Sequence, residues 1–202
     1  MSAFGTTGPM LLSARCGSAL HSVTYLTNGT FNNEVDFDYC NYTIMFGTQM
    51  GFMVGLGPNI NAQKMAAARA RGMKLVTVDP FCTNSGAKAD EWIPIRPGTD
   101  AAMALAMLNV LLNEKGIYDR DFLKKHTNAV YLTGTDGHYL RDPGSGKPLV
   151  WDLAEGKAKP FDAEVKDIAL EGSYVVGEVM GTTSFQALKD GVKKYTPEGV
   201  SS

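Results

Sequence analysis

The chain has 202 residues, of which 44% are hydrophobic, and a formal net charge of -2. This composition is sufficient to bury a core and excludes an intrinsically disordered chain. The near-neutral balance lacks the basic field that holds nucleic-acid phosphates, so no nucleic-acid partner is expected. No apolar run approaches the roughly 18 residues that span a bilayer, so no direct membrane insertion is expected. No secretory signal peptide is expected in the first residues.

A strand, a glycine-bearing loop, a helix and a second strand follow one another from Tyr42. The run YTIMFG predicts a buried strand that ends at Gly47. Asn59 is expected to cap a helix through INAQKMAAARARG that ends at Gly72, and MKLVTVDP predicts a second strand that ends at Pro80. This order predicts a βαβ unit of a parallel sheet, which binds ligands at the carboxyl ends of its strands.

The next segments predict an edge strand and two helices. EWIPIRP is an edge-strand candidate because Pro94 has no amide hydrogen to donate to a sheet. Thr99 is expected to cap a helix through DAAMALAMLNVLLNEKG that ends at Gly116, and YDRDFLKKHT predicts a further short helix.

Turn signals mark a change of character at Tyr131. The pairs Asp136-Gly137 and Asp142-Pro143 predict a hairpin-like excursion, followed by an extended and irregular segment. TSFQALKDGVKKYTPEGVSS then predicts a helix that runs into a proline. The predicted fold class is α/β, with a Rossmann-like parallel sheet flanked by helices and an irregular, hairpin-containing C-terminal extension.

Two carboxylates stand at the starts of loops or helices. Asp79 ends the second strand, where a carboxylate can accept both hydroxyls of a ribose or can simply cap a turn. Asp100 begins a helix within RPGTD, where it can accept two donors of a guanine edge or serve only to stabilise the helix start. The loop after Gly47 has the spacing GxxxGxxxGxG, which either offers amide groups to a phosphate or permits tight turns.

Three cysteines lie far apart and form no CxxC pair. Cys16 follows Arg15 in SARCGSALHS, and a neighbouring cation favours the thiolate that binds a soft metal, although an inert cysteine is the alternative. Cys40 and Cys82 are interpreted as small buried apolar residues in a reduced protein. The three histidines show no metal-ligand spacing.

The segments YTIMFGTQ, GMKLVTVDPFCTNSGAKADEWIPIRPGTDAAMALAMLNVLL, YDRDFL and YTPEGV resemble the large catalytic subunit of the molybdopterin oxidoreductases, the dimethyl sulfoxide reductase superfamily. The resemblance extends from about Leu11 to the C-terminus and is densest between Tyr42 and Leu123. It implies an α/β domain that holds one of two molybdopterin guanine dinucleotides. Two departures stand out: Gly47-Thr48-Gln49-Met50 replaces the family's Gly-x-Asn-Pro turn, and Phe81 replaces an arginine.

The resemblance also implies roles for individual residues. The turn at Gly47–Gln49 would contact the pyrophosphate, Asp79 the ribose and Asp100 the guanine. Cys16 would be the catalytic residue that ligates molybdenum. The full implied cofactor-binding set is Gly47, Thr48, Gln49, Asp79, Pro80, Thr83, Ser85, Arg96, Gly98 and Asp100.

The domain assignment follows from the same resemblance. Residues 1–41 would lead into the domain and carry the candidate molybdenum ligand. Residues 42–130 would form the Rossmann-like domain for molybdopterin guanine dinucleotide, and residues 131–202 would form the hairpin-containing excursion and a truncated helix.

The implied function is that of a partial catalytic subunit of a molybdenum oxidoreductase, using bis-molybdopterin guanine dinucleotide for two-electron redox or oxygen-atom transfer. An iron–sulfur cluster is expected in a missing N-terminal part or in a partner, and the isolated chain is expected to be inactive. Expected partners are an iron–sulfur electron-transfer subunit, together with the remainder of the catalytic subunit. The parent protein would be exported by the twin-arginine route or stay in the cytoplasm. The alternatives are a redox-neutral member of the family, a non-catalytic guanine-nucleotide or assembly module, and a non-functional remnant.

Overall fold

The structure is a computed structural model that describes residues 21–31, 33, 35–49 and 58–201. The chain forms two compact units that divide between Arg96 and Pro97. The boundary predicted from the sequence between residues 130 and 131 falls inside the second unit. The predicted metal ligand Cys16 and the later glycines of the loop after Gly47 lie outside the described residues.

The first unit contains a parallel sheet of three strands in the order β1-β2-β3. Its elements are α1 (Ser22–Asn28), β1 (Tyr42–Phe46), α2 (Pro58–Ala70), β2 (Lys74–Val78) and β3 (Glu91–Ile93). The last residue of β1, Phe46, is in register with Val78, and Val78 is in register with Ile93. The predicted parallel sheet and βαβ unit are therefore confirmed.

The apolar run in β2 predicted a strand correctly because β2 is the central strand of the sheet. Four successive residues of β2, Leu75 to Val78, are buried, as expected for a strand covered on both faces. Phe37, Ala68 and Met73 form a separate small cluster of buried residues. The helix α2 begins at Pro58, because proline is well suited to the first helical position. The predicted cap Asn59 therefore lies inside the helix.

The second unit is built from helices and short antiparallel strands. Its elements are α3 (Asp100–Asn109), α4 (Arg120–His126), β4 (Leu132–Thr133), β5 (Leu149–Asp152), β6 (Lys157–Pro160), β7 (Ser173–Val176), β8 (Val179–Thr183), α5 (Ser184–Val192) and α6 (Pro197–Ser201). Strands β4, β8 and β7 form one sheet, and β5 and β6 form a two-stranded sheet. The core of this unit contains Leu112, Val150, Leu170 and Phe185.

The helix predicted after Thr99 has two features that propensity did not indicate. It begins at Asp100 with Thr99 at the N-cap position, as predicted, but the Thr99 side chain makes no capping hydrogen bond. A π-helical turn, Val110–Lys115, continues α3 before the chain ends the helix at Gly116 with a φ of 63°. Glycine is suited to this left-handed position because it has no Cβ.

The prediction of an irregular segment before the last helix was wrong for two stretches. Strands β5 and β6 pair as one antiparallel hairpin, and β7 and β8 pair as another. Thr183 then caps α5 by accepting a hydrogen bond from the amide of Gln186 at 3.3 Å. The last helix does not run into the proline, since α5 ends at Val192 and Pro197 begins the separate helix α6.

One buried carboxylate organises the connection after β5. Asp152 is 0% exposed and accepts hydrogen bonds from the Lys159 ammonium at 2.8 Å and from the amides of Ala154, Lys166 and Asp167. The Lys159 hydrogen bond and these amides hold the pKa of Asp152 well below its usual range, against the effect of burial. A buried charge needs such full pairing to be tolerated.

Among the residues that the structure describes, no helix is long and apolar enough to cross a membrane.

Candidate nucleotide-binding site

The carboxyl ends of the three parallel strands lie side by side. The amide of Gly47 donates to the carbonyl of Val78 at 2.9 Å, and the amide of Asp79 donates to the carbonyl of Ile93 at 3.2 Å. Gly47 has a φ of 56°, which lets the chain turn away at the end of β1. The structure therefore brings Gly47 and Asp79, two of the predicted residues, to the same edge of the sheet.

Asp79 is a nearly buried carboxylate with an incomplete set of hydrogen bonds. The residue is 7% exposed, and its Oδ1 accepts one long hydrogen bond, 3.4 Å, from the amide of Phe81. Its Oδ2 accepts no hydrogen bond from any residue that the structure describes. A carboxylate with free acceptor capacity at a strand end can receive hydrogen bonds from hydroxyl groups of a ligand.

Of the predicted residues in the loop between β2 and β3, Thr83 holds the loop together. Thr83 is 6% exposed, its Oγ1 accepts from the amide of Gly86 at 3.2 Å, and its carbonyl accepts from the amide of Ala87. Ser85 is 8% exposed and precedes a short 3-10 helix, Gly86–Lys88. Pro80 is exposed. The hydroxyl of Thr83 thus has a clear structural role in shaping the loop.

Two residues that the sequence pattern did not single out fix the ends of this loop. The indole nitrogen of Trp92 donates to the carbonyl of Asp79 at 3.0 Å. Asp90 accepts from the amide of Leu75 and from the Lys74 ammonium, both at 2.9 Å. These two contacts lower the pKa of Asp90. The signal in the sequence was the polar-aromatic triplet Asp-Glu-Trp at a strand start, although a triplet alone does not reveal the partners.

The tight packing under the loop depends on Gly86. A Cβ at this position would lie 3.3 Å from Thr77 Oγ1 and 3.4 Å from the Cys82 sulfur. The Thr77 hydroxyl is buried and has no hydrogen-bond partner among the described residues.

Cys82 is exposed, because the chain leaves the sheet at Pro80. The prediction that Cys82 is a buried apolar residue was therefore wrong. Cys40 is half-buried, and neither Cys40 nor Cys82 forms a disulfide with a described residue.

The motif RPGTD divides between the two compact units. Arg96 is the last residue of the first unit, whereas Gly98 and Asp100 belong to the second. Gly98 has a φ of 85°, and Asp100 is an exposed residue in the first turn of α3. Thr48 and Gln49, which follow Gly47, are half-buried. No group of three or more histidine, cysteine or acidic side chains that could hold a metal ion is found among the residues with described positions.

Comparison with known proteins identifies the family. A protein-family model described as molybdopterin oxidoreductase matches residues 8–143, more than half of the chain. The chain belongs to the molybdopterin oxidoreductase family. The match covers the whole parallel sheet of the first unit and α3, so the elements that carry the predicted site are family elements.

Two relatives show how far the similarity to known members of this family extends. A sulfite dehydrogenase subunit of Allochromatium vinosum is 36% identical over 163 residues, which is 68% of this chain and 16% of that protein. Acetylene hydratase of Syntrophotalea acetylenica is 47% identical over 144 residues, which is 58% of this chain and 20% of that protein. The chain therefore spans no more than about a fifth of the length of these relatives.

The fold agrees with one solved structure. Acetylene hydratase from Pelobacter acetylenicus matches 94% of this chain and 18% of its own chain, with a TM-score of 0.55 and 22% identity. At this identity the match supports the fold and no more. It agrees with the α/β fold class predicted from the sequence.

Proposed function

We propose that this chain binds one guanine dinucleotide half of bis-molybdopterin guanine dinucleotide, as part of the catalytic subunit of a molybdenum oxidoreductase. The proposal rests mainly on Asp79, a residue that is only 7% exposed. Its Oδ2 accepts no hydrogen bond from any described residue, and its Oδ1 accepts one long hydrogen bond from Phe81. An acceptor oxygen at the strand end that no described residue uses is available to the hydroxyl groups of a ligand. The ribose of a nucleotide supplies two adjacent hydroxyls.

The turn after β1 supports a role for the neighbouring residues in binding phosphate. The amide of Gly47 is already used by the carbonyl of Val78. The amides of Thr48 and Gln49 make no hydrogen bond to other described residues, and both residues are half-buried. Amide groups of this kind, at the carboxyl edge of a parallel sheet, bind anionic oxygens well.

In this proposal the residues of the chain bind and orient the cofactor. Asp79 would accept the ribose hydroxyls, the turn at Gly47–Gln49 would donate to the pyrophosphate, and Asp100 would accept from the guanine edge. Cys16, outside the described residues, would be the thiolate ligand of molybdenum. When bound, the cofactor would supply two-electron redox or oxygen-atom transfer chemistry.

Nucleotide titration tests the binding roles. GDP is expected to bind to the chain, and Asp79→Asn is expected to weaken GDP and ADP alike by about 10- to 100-fold, the range for a charged hydrogen bond. Asp100→Ala should weaken GDP but leave ADP unchanged, because only guanine has the N1–H and N2 donors. Asp38→Asn, an exposed acid in the same unit as Asp79, is the control and should have no effect.

Two outcomes would contradict the binding proposal. Absence of saturable GDP binding would remove its basis, and equal GDP affinity in the chain and in Asp79→Asn would exclude the ribose role. If Asp100→Ala retained its preference for GDP over ADP, guanine recognition would have to be assigned to other residues.

The metal ligand is tested separately by metal analysis. We expect that the chain, produced in the presence of molybdate with the rest of its catalytic subunit, retains molybdenum after purification. Cys16→Ala should lose that molybdenum, whereas Cys40→Ala should keep it, because the Cys40 thiol is engaged with the carbonyl of Tyr42 at 3.2 Å. Equal molybdenum content in the two variants would refute the role of Cys16.

A redox-neutral reaction is the second candidate function. It is favoured by the 47% identity to a protein named acetylene hydratase, whereas the other relative is named a dehydrogenase. Reduction of an artificial dye by the loaded enzyme would support the redox reaction, and its absence together with hydration of a test substrate would support the alternative. Because the dehydrogenase relative is named as one subunit, it supports the proposed partners: an iron–sulfur electron-transfer subunit, together with the remainder of the catalytic subunit.

A further inference from the structure

The second unit contains a polar cleft that none of the predicted cofactor residues line. The cleft has a volume of about 370 Å³ and lies between the turn after β4 and the first turn of α5. Its polar lining residues are Thr133, His138, Tyr139, Arg141 and Ser184. A volume of this size is at the lower end of the range for small-molecule sites.

A short turn brings the polar side chains of the cleft together. The amide of Gly134 donates to the carbonyl of His138 at 2.8 Å, and the amide of His138 donates to Asp136 Oδ1 at 3.0 Å. Thr133 and Tyr139 then face each other as an antiparallel pair. The turn therefore holds His138 and Tyr139 close to the end of β4.

Three side chains of the cleft have hydrogen-bond donors that the described fold does not use. The Arg141 guanidinium donates through Nη1 to the carbonyl of Gly146 at 2.8 Å, and its other nitrogens have no partner among the described residues. The Tyr139 hydroxyl accepts from the Asn128 amide at 2.6 Å, which leaves its own hydrogen available. The His138 ring has no hydrogen-bond partner in the described part of the chain.

The two remaining hydroxyls of the cleft are already engaged with the fold. The Ser184 hydroxyl donates to the carbonyl of Tyr131 at 2.9 Å and lies 3.1 Å from the Thr133 hydroxyl. Because Ser184 uses its hydrogen on the carbonyl, Thr133 donates to Ser184. These two residues therefore form a fixed wall of the cleft, and the free donors belong to Arg141, His138 and Tyr139.

The Arg141 guanidinium gives the cleft a donor group that suits an anion. Arg141 and His138 form no salt bridge with the described acidic side chains. Asp142 accepts from the amide and the hydroxyl of Ser145 at 2.8 and 2.7 Å, and Asp136 accepts from the His138 amide, so neither acid takes up the Arg141 donors. A guanidinium with free donors is well suited to oxyanions because its geometry matches two oxygens at once.

We propose that this cleft binds a tetrahedral oxyanion, the phosphate or sulfate group of a small molecule, through Arg141, His138 and Tyr139. Three donor side chains that line one cleft match an oxyanion that offers three or more acceptor oxygens. The proposal is independent of the guanine dinucleotide site, because it uses none of the residues assigned there.

The proposal is tested by titrating the chain with inorganic phosphate, sulfate and glycerol 3-phosphate at constant ionic strength. Binding is observed through the amide chemical shifts in the NMR spectrum. Saturable shifts are expected at His138 and Tyr139, and tighter binding of glycerol 3-phosphate than of phosphate would identify a phosphorylated small molecule as the source. Arg141→Gln should weaken binding by about tenfold or more, and Tyr139→Phe by several-fold. Lys125→Gln, an exposed cation in α4 of the same unit, is the matched control and should have no effect.

The proposal has clear contrary outcomes. Equal weakening by Arg141→Gln and Lys125→Gln would show nonspecific attraction to positive charge, and the absence of saturable shifts at His138 and Tyr139 would refute the site. If Arg141→Gln unfolds, Arg141→Lys keeps the charge but not the fork of donors, so it should fold and still bind less tightly. Unchanged affinity in both Arg141→Lys and Tyr139→Phe would overturn the proposal.

Discussion

Replacing Trp92 by phenylalanine should destabilise the chain by about 1 kcal/mol, the usual net value of one hydrogen bond. The exchange keeps an aromatic ring but removes the indole N–H that donates to the carbonyl of Asp79 at 3.0 Å. Because Asp79 is only 7% exposed, water replaces this bond poorly, and the loss can reach about 2 kcal/mol. With a typical urea dependence, the unfolding midpoint should fall by about 0.5–1 M.

The second tryptophan provides the matched control. Trp151 stacks on Tyr174 with ring centroids 4.7 Å apart, and its indole N–H has no partner among the described residues. Trp151→Phe therefore keeps a stacked ring and loses no hydrogen bond, so it should cost less than about 0.5 kcal/mol. Urea unfolding followed by far-UV circular dichroism gives both values.

Hydrogen exchange of the two indole groups provides an independent measurement. In the unmodified chain, the Trp92 indole N–H should exchange more slowly than that of Trp151, because of the two only Trp92 is hydrogen-bonded to a described residue. Equal exchange rates, together with equal stability of Trp92→Phe and Trp151→Phe, would refute the reasoning that the indole fixes the end of β2.

Three further predictions concern stability. Thr77→Val should raise the unfolding free energy by about 1 kcal/mol, because it removes a buried hydroxyl that has no partner among the described residues. Gly47→Ala should lower it by about 1–2 kcal/mol, since an alanine at a φ of 56° is strained, as urea unfolding can measure. Hydrogen bonds from Lys157 and then Lys159 lower the pKa of Glu155 from 4.5 to about 2. A lowered pKa stabilises the fold above about pH 4.5, so melting temperature should fall as pH drops from 4.5 towards 2, and less steeply in Lys157→Gln.

Two of these predictions have a control, and each has a contrary result. Thr83→Val removes a hydroxyl that does accept a hydrogen bond, from Gly86, and should lower stability; a gain similar to that of Thr77→Val would contradict the argument. Lys125→Gln should leave the pH dependence of the melting temperature unchanged. If Lys157→Gln showed the same pH dependence as Lys125→Gln, Lys157 would not act on Glu155. An unchanged unfolding midpoint in Gly47→Ala would show that the turn relaxes.

The sequence predicted the parallel sheet well because its signals are local. The apolar, β-branched residues of β2 are buried in succession, and Gly47 and Pro80 mark where β1 and β2 stop. The pairing of β5 with β6 was not predicted, because β6 contains Lys157 and Lys159 and resembles a loop. The charge of Lys159 is accommodated by Asp152, which the fold brings within 2.8 Å of it.

The candidate site was predicted in part. Asp79 was placed at a strand end, and the structure puts it there, nearly buried, beside the end of β3. The contact from Trp92 could not be predicted, because its partner is a backbone carbonyl thirteen residues earlier in the chain. The hydroxyl of Thr83 was assigned to the cofactor, but its observed contact shapes the loop. The role of Cys16 stays a prediction.

The shortness of β3 has a consequence for the assembly of the sheet. Open strand edges tend to pair with other chains and cause aggregation. On the β3 side, pairing is limited to three residues and stops at Pro94, which has no amide hydrogen to donate. On the other side, the outer edge of β1 has no partner strand among the described residues, and β1 extends over five residues. The two edges of the sheet therefore differ in their capacity for further pairing. Any additional strand, whether from a longer protein or from unwanted self-association, should pair with β1.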